Sequence, residues 1–207
     1  NNGGISLSTE DQLSQAAFFR DFFLAENRFQ MEEICHPYLE NNKLPKPTDN
    51  KWCELEFAFN RLVVGPRSVI APPFASVYLE PESYVMGETT QSVRKLYHLV
   101  GVSSPWEGRI PDDHISLELD ACLKFHHAIE ETEYSPLIPV YNYFLKDHMS
   151  LWVPAFLQKI EQAVDVPSLI GRISCELSLW LQNECEWLTT TRVRIPESHI
   201  LNEERRI

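Results

Sequence analysis

Apolar residues recur along this chain at the three-to-four-residue spacing of amphipathic helices, and nowhere hold the two-residue alternation of a strand. The pattern breaks into segments at Pro, Gly and capping residues. Ser8 or Thr9, with Asp11 or Gln12 three positions on, is a capping-box signal. The helix it opens runs to about Asn27 and turns Leu13, Ala16, Ala17, Phe19, Phe23 and Leu24 inward. A second spans Phe29 to His36, where Pro37 is expected to stop it. Asn41 to Asp49, with Pro45 and Pro47, is a linker. A third helix starts at Thr48 or Asp49, presents Trp52, Leu55, Phe59, Leu62 and Val63, and closes at Gly65-Pro66.

A proline-punctuated loop follows from Arg67 to Pro81; its apolar Val69, Ile70, Phe74, Val77 and Tyr78 must lie on the bundle or line a groove. Thr89 to Val100 is the next helix, closed by Gly101. Ser103 to Arg109 reads as a hinge. Further on, Ser135-Pro136 opens a helix through Tyr141, Phe144, Leu145 and Met149, which Pro154 breaks or restarts. Pro167 suits the first position of a last long helix carrying Leu169, Ile173, Leu177, Trp180, Leu181, Trp187 and Leu188. The charged tail from Thr189 is expected to be extended. With no internal repeat, the fold class is all-α: one helical bundle domain over 1–207, its halves at about 8–102 and 111–188 joined by a hinge near 103–112, with a tail over 189–207.

Ile110 to Glu131 is the stretch around which the rest is arranged. Pro111 and Asp112-Asp113 supply its entry, a carboxylate at the N-cap accepting orphan N–H groups, so the helix is expected to start near Asp113. Ile115, Leu119, Cys122, His126 and Ile129 form one stripe, with Leu117, Ala121, Phe125 and Ala128 beside it. That leaves a polar strip of Ser116, Asp120, Lys124 and His127 for water. His114 and Glu118 fall inside the apolar arc, one turn apart and able to pair.

Length suits one domain with a substantial core, and 43% hydrophobic with 23% charged residues is ordinary for a globular chain. Thirty acidic against 18 basic residues give a formal charge of −12. That balance argues against nucleic acid and anionic membranes and favours a cationic ligand. The five cysteines form no C-x-x-C and read as reduced thiols of a cytoplasmic protein. The first residues show no signal peptide, the missing Met points to a processed end, and no apolar run is long enough to span a membrane.

Chemistry is sparse. The adjacent His126-His127 and Cys35-His36 point about 100° apart and cannot chelate together. There is no H-E-x-x-H, no zinc-finger spacing, no phosphate loop and no G-x-S-x-G elbow, so no metal or cofactor is expected. Asp113, His114 and Glu118 have acid–base potential without a nucleophile beside them. A hydrolase-like enzyme using Asp113 and His114, or a generic helical interaction scaffold, are the alternatives the residues leave open.

Three ordered motifs add to this. Val64-Gly65-Pro66 with Val69-Ile70-Ala71-Pro72-Pro73-Phe74-Ala75-Ser76-Val77-Tyr78-Leu79, then Pro111-Asp112-Asp113-His114, then His148, Trp152 and Phe156-Leu157 resemble the TorD/DmsD/NarJ group of redox-enzyme maturation chaperones. The resemblance covers roughly Trp52 to Val164. It implies an all-helical chaperone, not an enzyme, that binds the twin-arginine leader of a molybdenum-cofactor oxidoreductase and holds back export, with components of the twin-arginine translocase as further partners. Carried over by position, the leader-binding candidates are Leu62, Val64, Pro73, Phe74, Tyr78, Pro111, Asp113 and His114. Glu118 joins them from the helix pattern. A leader pairs a dicationic patch with an apolar stretch, so Asp112, Asp113 and Glu118 are expected to supply carboxylates beside an apolar groove.

Overall fold

A computed structural model describes residues 9–66, 68–80 and 87–194. Ser8, Arg67, Pro81 and the tail from residue 195 lie outside the described residues. The helices are α1 (Thr9–Leu24), α2 (Arg28–Asn41), α3 (Asp49–Phe59), α4 (Ala75–Leu79), α5 (Glu88–Leu99), α6 (Ile115–Thr132), α7 (Leu137–Asn142), α8 (Ser150–Glu161) and α9 (Ser168–Arg194). Wider π turns over Asn60–Val64 and Tyr143–Met149 continue α3 and join α7 to α8. Among the described residues there is no strand, only an isolated antiparallel bridge between Phe74 and His114.

The starts of α2 and α3 follow from side-chain caps. Asn27 accepts the N–H groups of Phe29 and Gln30, and Thr48 accepts that of Lys51. Neither Pro37 nor Pro154 stops its helix, contrary to the sequence expectation. Both lie on exposed faces, where water can take the carbonyl that each ring leaves without its helical donor. Meanwhile Met31, Cys35 and Leu39 on one helix, and Trp152, Phe156 and Ile160 on the other, stay buried across the proline. Continuous burial of the inner face outweighs the local cost.

The expected tail from Thr189 is also corrected up to Arg194, because α9 keeps its inward stripe through Leu188 and Thr191. Trp187 and Arg194 both donate to Glu130, which ties this end of α9 to α6.

Helix α6 runs through the middle, packed most closely against α1. Its supposed solvent strip is half wrong. Ser116 donates to the Arg20 carbonyl, and Asp120 accepts from the Arg20 guanidinium at 2.9 Å, so both are buried under α1 and only Lys124 and His127 reach water. Around α6 the core holds Phe22, Phe59, Phe156 and the indoles of Trp52, Trp152 and Trp180. A second polar knot lies near its far end. Glu184 of α9 accepts from Gln12 and Tyr141, and its other hydrogen bond is with His126, whose ring stacks on Trp187.

Candidate functional site

The proline loop is clamped onto the start of α6. After the π turn the chain reverses at Gly65, whose φ of 103° is open to glycine and strained for other residues. The Ala71 N–H then returns to the Leu62 carbonyl at 2.8 Å. Two further bonds make the bridge: Ala75 N–H donates to the Asp113 carbonyl at 3.0 Å, and Ile115 N–H to the Pro73 carbonyl at 2.9 Å. Loop and helix start, separated by nearly forty residues in sequence, become one surface.

Asp113 is wholly buried. One oxygen accepts the Ser76 N–H in the first turn of α4 at 2.9 Å, and the other the Thr90 hydroxyl of α5 at 2.8 Å. The carboxylate therefore holds α4 and α5 at the start of α6 and does not cap α6 itself. That cap is His114, whose Nδ1 accepts the Ser116 N–H at 3.1 Å. Acting as acceptor through Nδ1 fixes the ring as the Nε2–H tautomer. Burial pushes the imidazole down to about 4, against the pull of the neighbouring Asp113 charge.

The expected pairing of His114 with Glu118 does not form. Glu118 faces the other way, accepting from His148 at 2.5 Å and from the Trp152 indole at 2.9 Å. Burial raises the Glu118 carboxyl, and the adjacent His148 opposes that rise. For His148, burial works downward and the Glu118 charge outweighs it, so its value stands above the ordinary one. His148 and Trp152 were legible as a pair, since four positions apart on a helix they share a face; Ser76, Thr90 and Arg94 carried no signal in the sequence.

Asp112 is buried too, paired with Arg94 at 2.5 Å. So all three carboxylates expected to meet a cationic ligand are spent inside the protein.

Among the apolar candidates, Leu62 and Pro73 are buried and support the loop from beneath. Val64 is 59% exposed, Ile70 37%, and Phe74 and Pro111 are half-buried. Phe74 sets its ring edge-on to His114, centroids 5.1 Å apart. Tyr78 is turned into the bundle, stacked on Trp152 with its hydroxyl donating to the Pro72 carbonyl. It serves the loop's shape more than its surface.

With the Asp113 oxygens and the His114 Nδ1 already accepting internal bonds, neither residue is placed to relay a proton to a ligand. Among the described residues no three His, Cys, Asp or Glu side chains gather as a metal site would require, and no helix is long and apolar enough to cross a membrane.

Residues 24–158 match the family model described as nitrate reductase delta subunit. The chain belongs to that family. Among similar proteins in it, a chaperone protein TorD of Vibrio cholerae serotype O1 is 26% identical over 143 residues, 67% of this chain and 64% of the relative. A Tat proofreading chaperone DmsD of Salmonella typhi is 30% identical over 105 residues, 48% of this chain and 46% of the relative. A probable Tat proofreading chaperone DmsD of Haemophilus influenzae is 27% identical over 104 residues, 50% and 47%. The chain thus spans a little under two thirds of its TorD relative and about half of the DmsD relatives. The family match contains both the proline loop and the start of α6.

Proposed function

We propose that the protein is a maturation chaperone that binds the twin-arginine leader of a molybdenum-cofactor oxidoreductase on the cytoplasmic side and holds back export until the cofactor is inserted and the enzyme folded. One observation carries this reading: the proline loop and the α6 start are locked together while Val64, Ile70, Phe74 and Pro111 stay at the surface. An apolar helical segment gains most from a surface fixed before it arrives, because little ordering is left to be done on binding. The relatives' names, TorD chaperone and Tat proofreading chaperone, support the same partner class.

The test is co-expression with a molybdoenzyme precursor carrying or lacking its leader, followed by affinity recovery of this chain. Recovery of the precursor only when the leader is present is the expected result. Equal recovery of the leaderless form refutes the reading.

A further inference from the structure

With Asp112, Asp113 and Glu118 occupied inside the protein, arginine recognition needs carboxylates elsewhere. Among the surface grooves, one of about 830 Å³ between α1, α2 and α9 has Asp21 paired with Arg20 and Glu176 with Arg172, and two more differ in sign. One of about 1270 Å³ lies between α3 and the α8–α9 connection. Its cations already have partners: Lys46 meets Glu32, Lys51 meets Glu54, Arg172 meets Glu176, and Arg61 donates to the carbonyls of Val164 and Asp165. Nothing there selects an occupant.

The other groove, of about 620 Å³, runs between α5 and the π turn Tyr143–Met149. Its apolar surface is open, with Leu99 79% and Tyr143 57% exposed. Its charged groups are Glu80, Glu88 and Asp147 against Lys95, with His148 at the edge bound to Glu118. Glu80 is engaged, accepting the Thr89 N–H at 2.6 Å. Glu88 and Asp147 are exposed, and among the described residues neither meets a partner.

We propose that Glu88 and Asp147 receive the two arginines of the leader, and that Leu99 and Tyr143 take the beginning of its apolar stretch. This rests on the leader-binding function above and assigns its cationic half. Charge complementarity favours it, because a planar guanidinium with five donors engages a free carboxylate through two bonds where an ammonium engages it through one. Continuity favours it as well. Thr90, two residues from Glu88, is the residue that binds Asp113, and His148, next to Asp147, is the residue that binds Glu118. The α5 wall of the groove is therefore fastened to Asp113, the acid that holds the loop junction, and the π-turn wall to Glu118 in the first turn of α6.

The probe is a fluorescein-labelled synthetic peptide with two adjacent arginines followed by an uncharged apolar stretch, compared with its two-lysine form, on the full chain by anisotropy. The Glu88→Gln, Asp147→Asn double variant is expected to keep its melting temperature, bind the arginine peptide about tenfold more weakly, and no longer prefer arginine to lysine. Lys95→Gln is expected to shift affinity the other way, since it removes the cation that competes with the peptide. A wild-type chain that binds, with a double variant that binds and discriminates as well as wild type, overturns the groove assignment alone. A wild-type chain that does not bind the arginine peptide at all overturns the function and this assignment with it.

Discussion

His114 gives the site a measurable acid sensitivity. It is buried as a neutral ring, its Nδ1 accepts the Ser116 N–H, and its value is pushed from 6.5 down to about 4. Between these values the unfolded chain takes a proton that the folded chain refuses, so stability falls as pH drops through this window and the loss is complete near pH 4. The difference of about 2.5 pH units, at about 1.4 kcal/mol each, comes to about 3 kcal/mol. His114→Asn isolates this contribution, because Asn is a good N-cap and does not titrate. It also removes the ring contact with Phe74, a loss of about 1 kcal/mol that is the same at every pH. Urea unfolding of both proteins, at steps from about pH 7.5 to about pH 4, should show the wild type losing about 3 kcal/mol more than the variant. Parallel curves would mean that His114 takes up its proton without opening the junction, and the argument from burial would be wrong.

Asp113→Ala should lower stability by about 3 kcal/mol, because the Ser76 N–H and the Thr90 hydroxyl both lose their acceptor; Asp113→Asn should cost less, since its oxygen and amide can still serve them. An unchanged Asp113→Ala melting curve would refute the role as a fastener. His148 is raised by Glu118, so its contribution is present below its ordinary value and is lost as pH rises through the higher folded one. In Glu118→Gln that loss on the alkaline side should disappear, and unfolding free energies between about pH 6 and about pH 9 will show whether it does. Val64→Asp, at a 59% exposed position, should weaken leader binding while moving stability by no more than about 0.5 kcal/mol. Unaltered affinity in that variant would take Val64 out of the binding surface.

The helices were legible because burial on one face imposes a period, and a period survives in the sequence whatever the neighbours are. What misled was local chemistry judged without its surroundings. Pro37 and Pro154 read as stops, yet each sits where water can replace the missing donor. Ser116 and Asp120 read as solvent-facing, yet Arg20 of α1 is there to meet them. Thr189 to Arg194 read as a charged tail, yet Thr191 is buried and Arg194 reaches Glu130. For Ser116, Asp120 and Arg194 the deciding partner lies on another helix, at a separation no local pattern records.

The same distinction runs through the site. The proline loop folds over Pro111-Asp112-Asp113-His114, but the motif's polar side chains are turned inward. Asp112 holds Arg94, Asp113 holds α4 and α5, and His114 caps α6. A carboxylate with both oxygens bound and no exposed surface cannot take a guanidinium without first giving up the bonds that shape the junction, at a cost of several kcal/mol. The motif's work is therefore to build the platform. Under the proposed function, selection among leaders falls to exposed side chains around it, such as Val64 and Ile70, which can change without loosening the fold because little of the core rests on them. On this argument a substitution inside the motif should lower stability and binding together, whereas one on the exposed rim should alter binding alone.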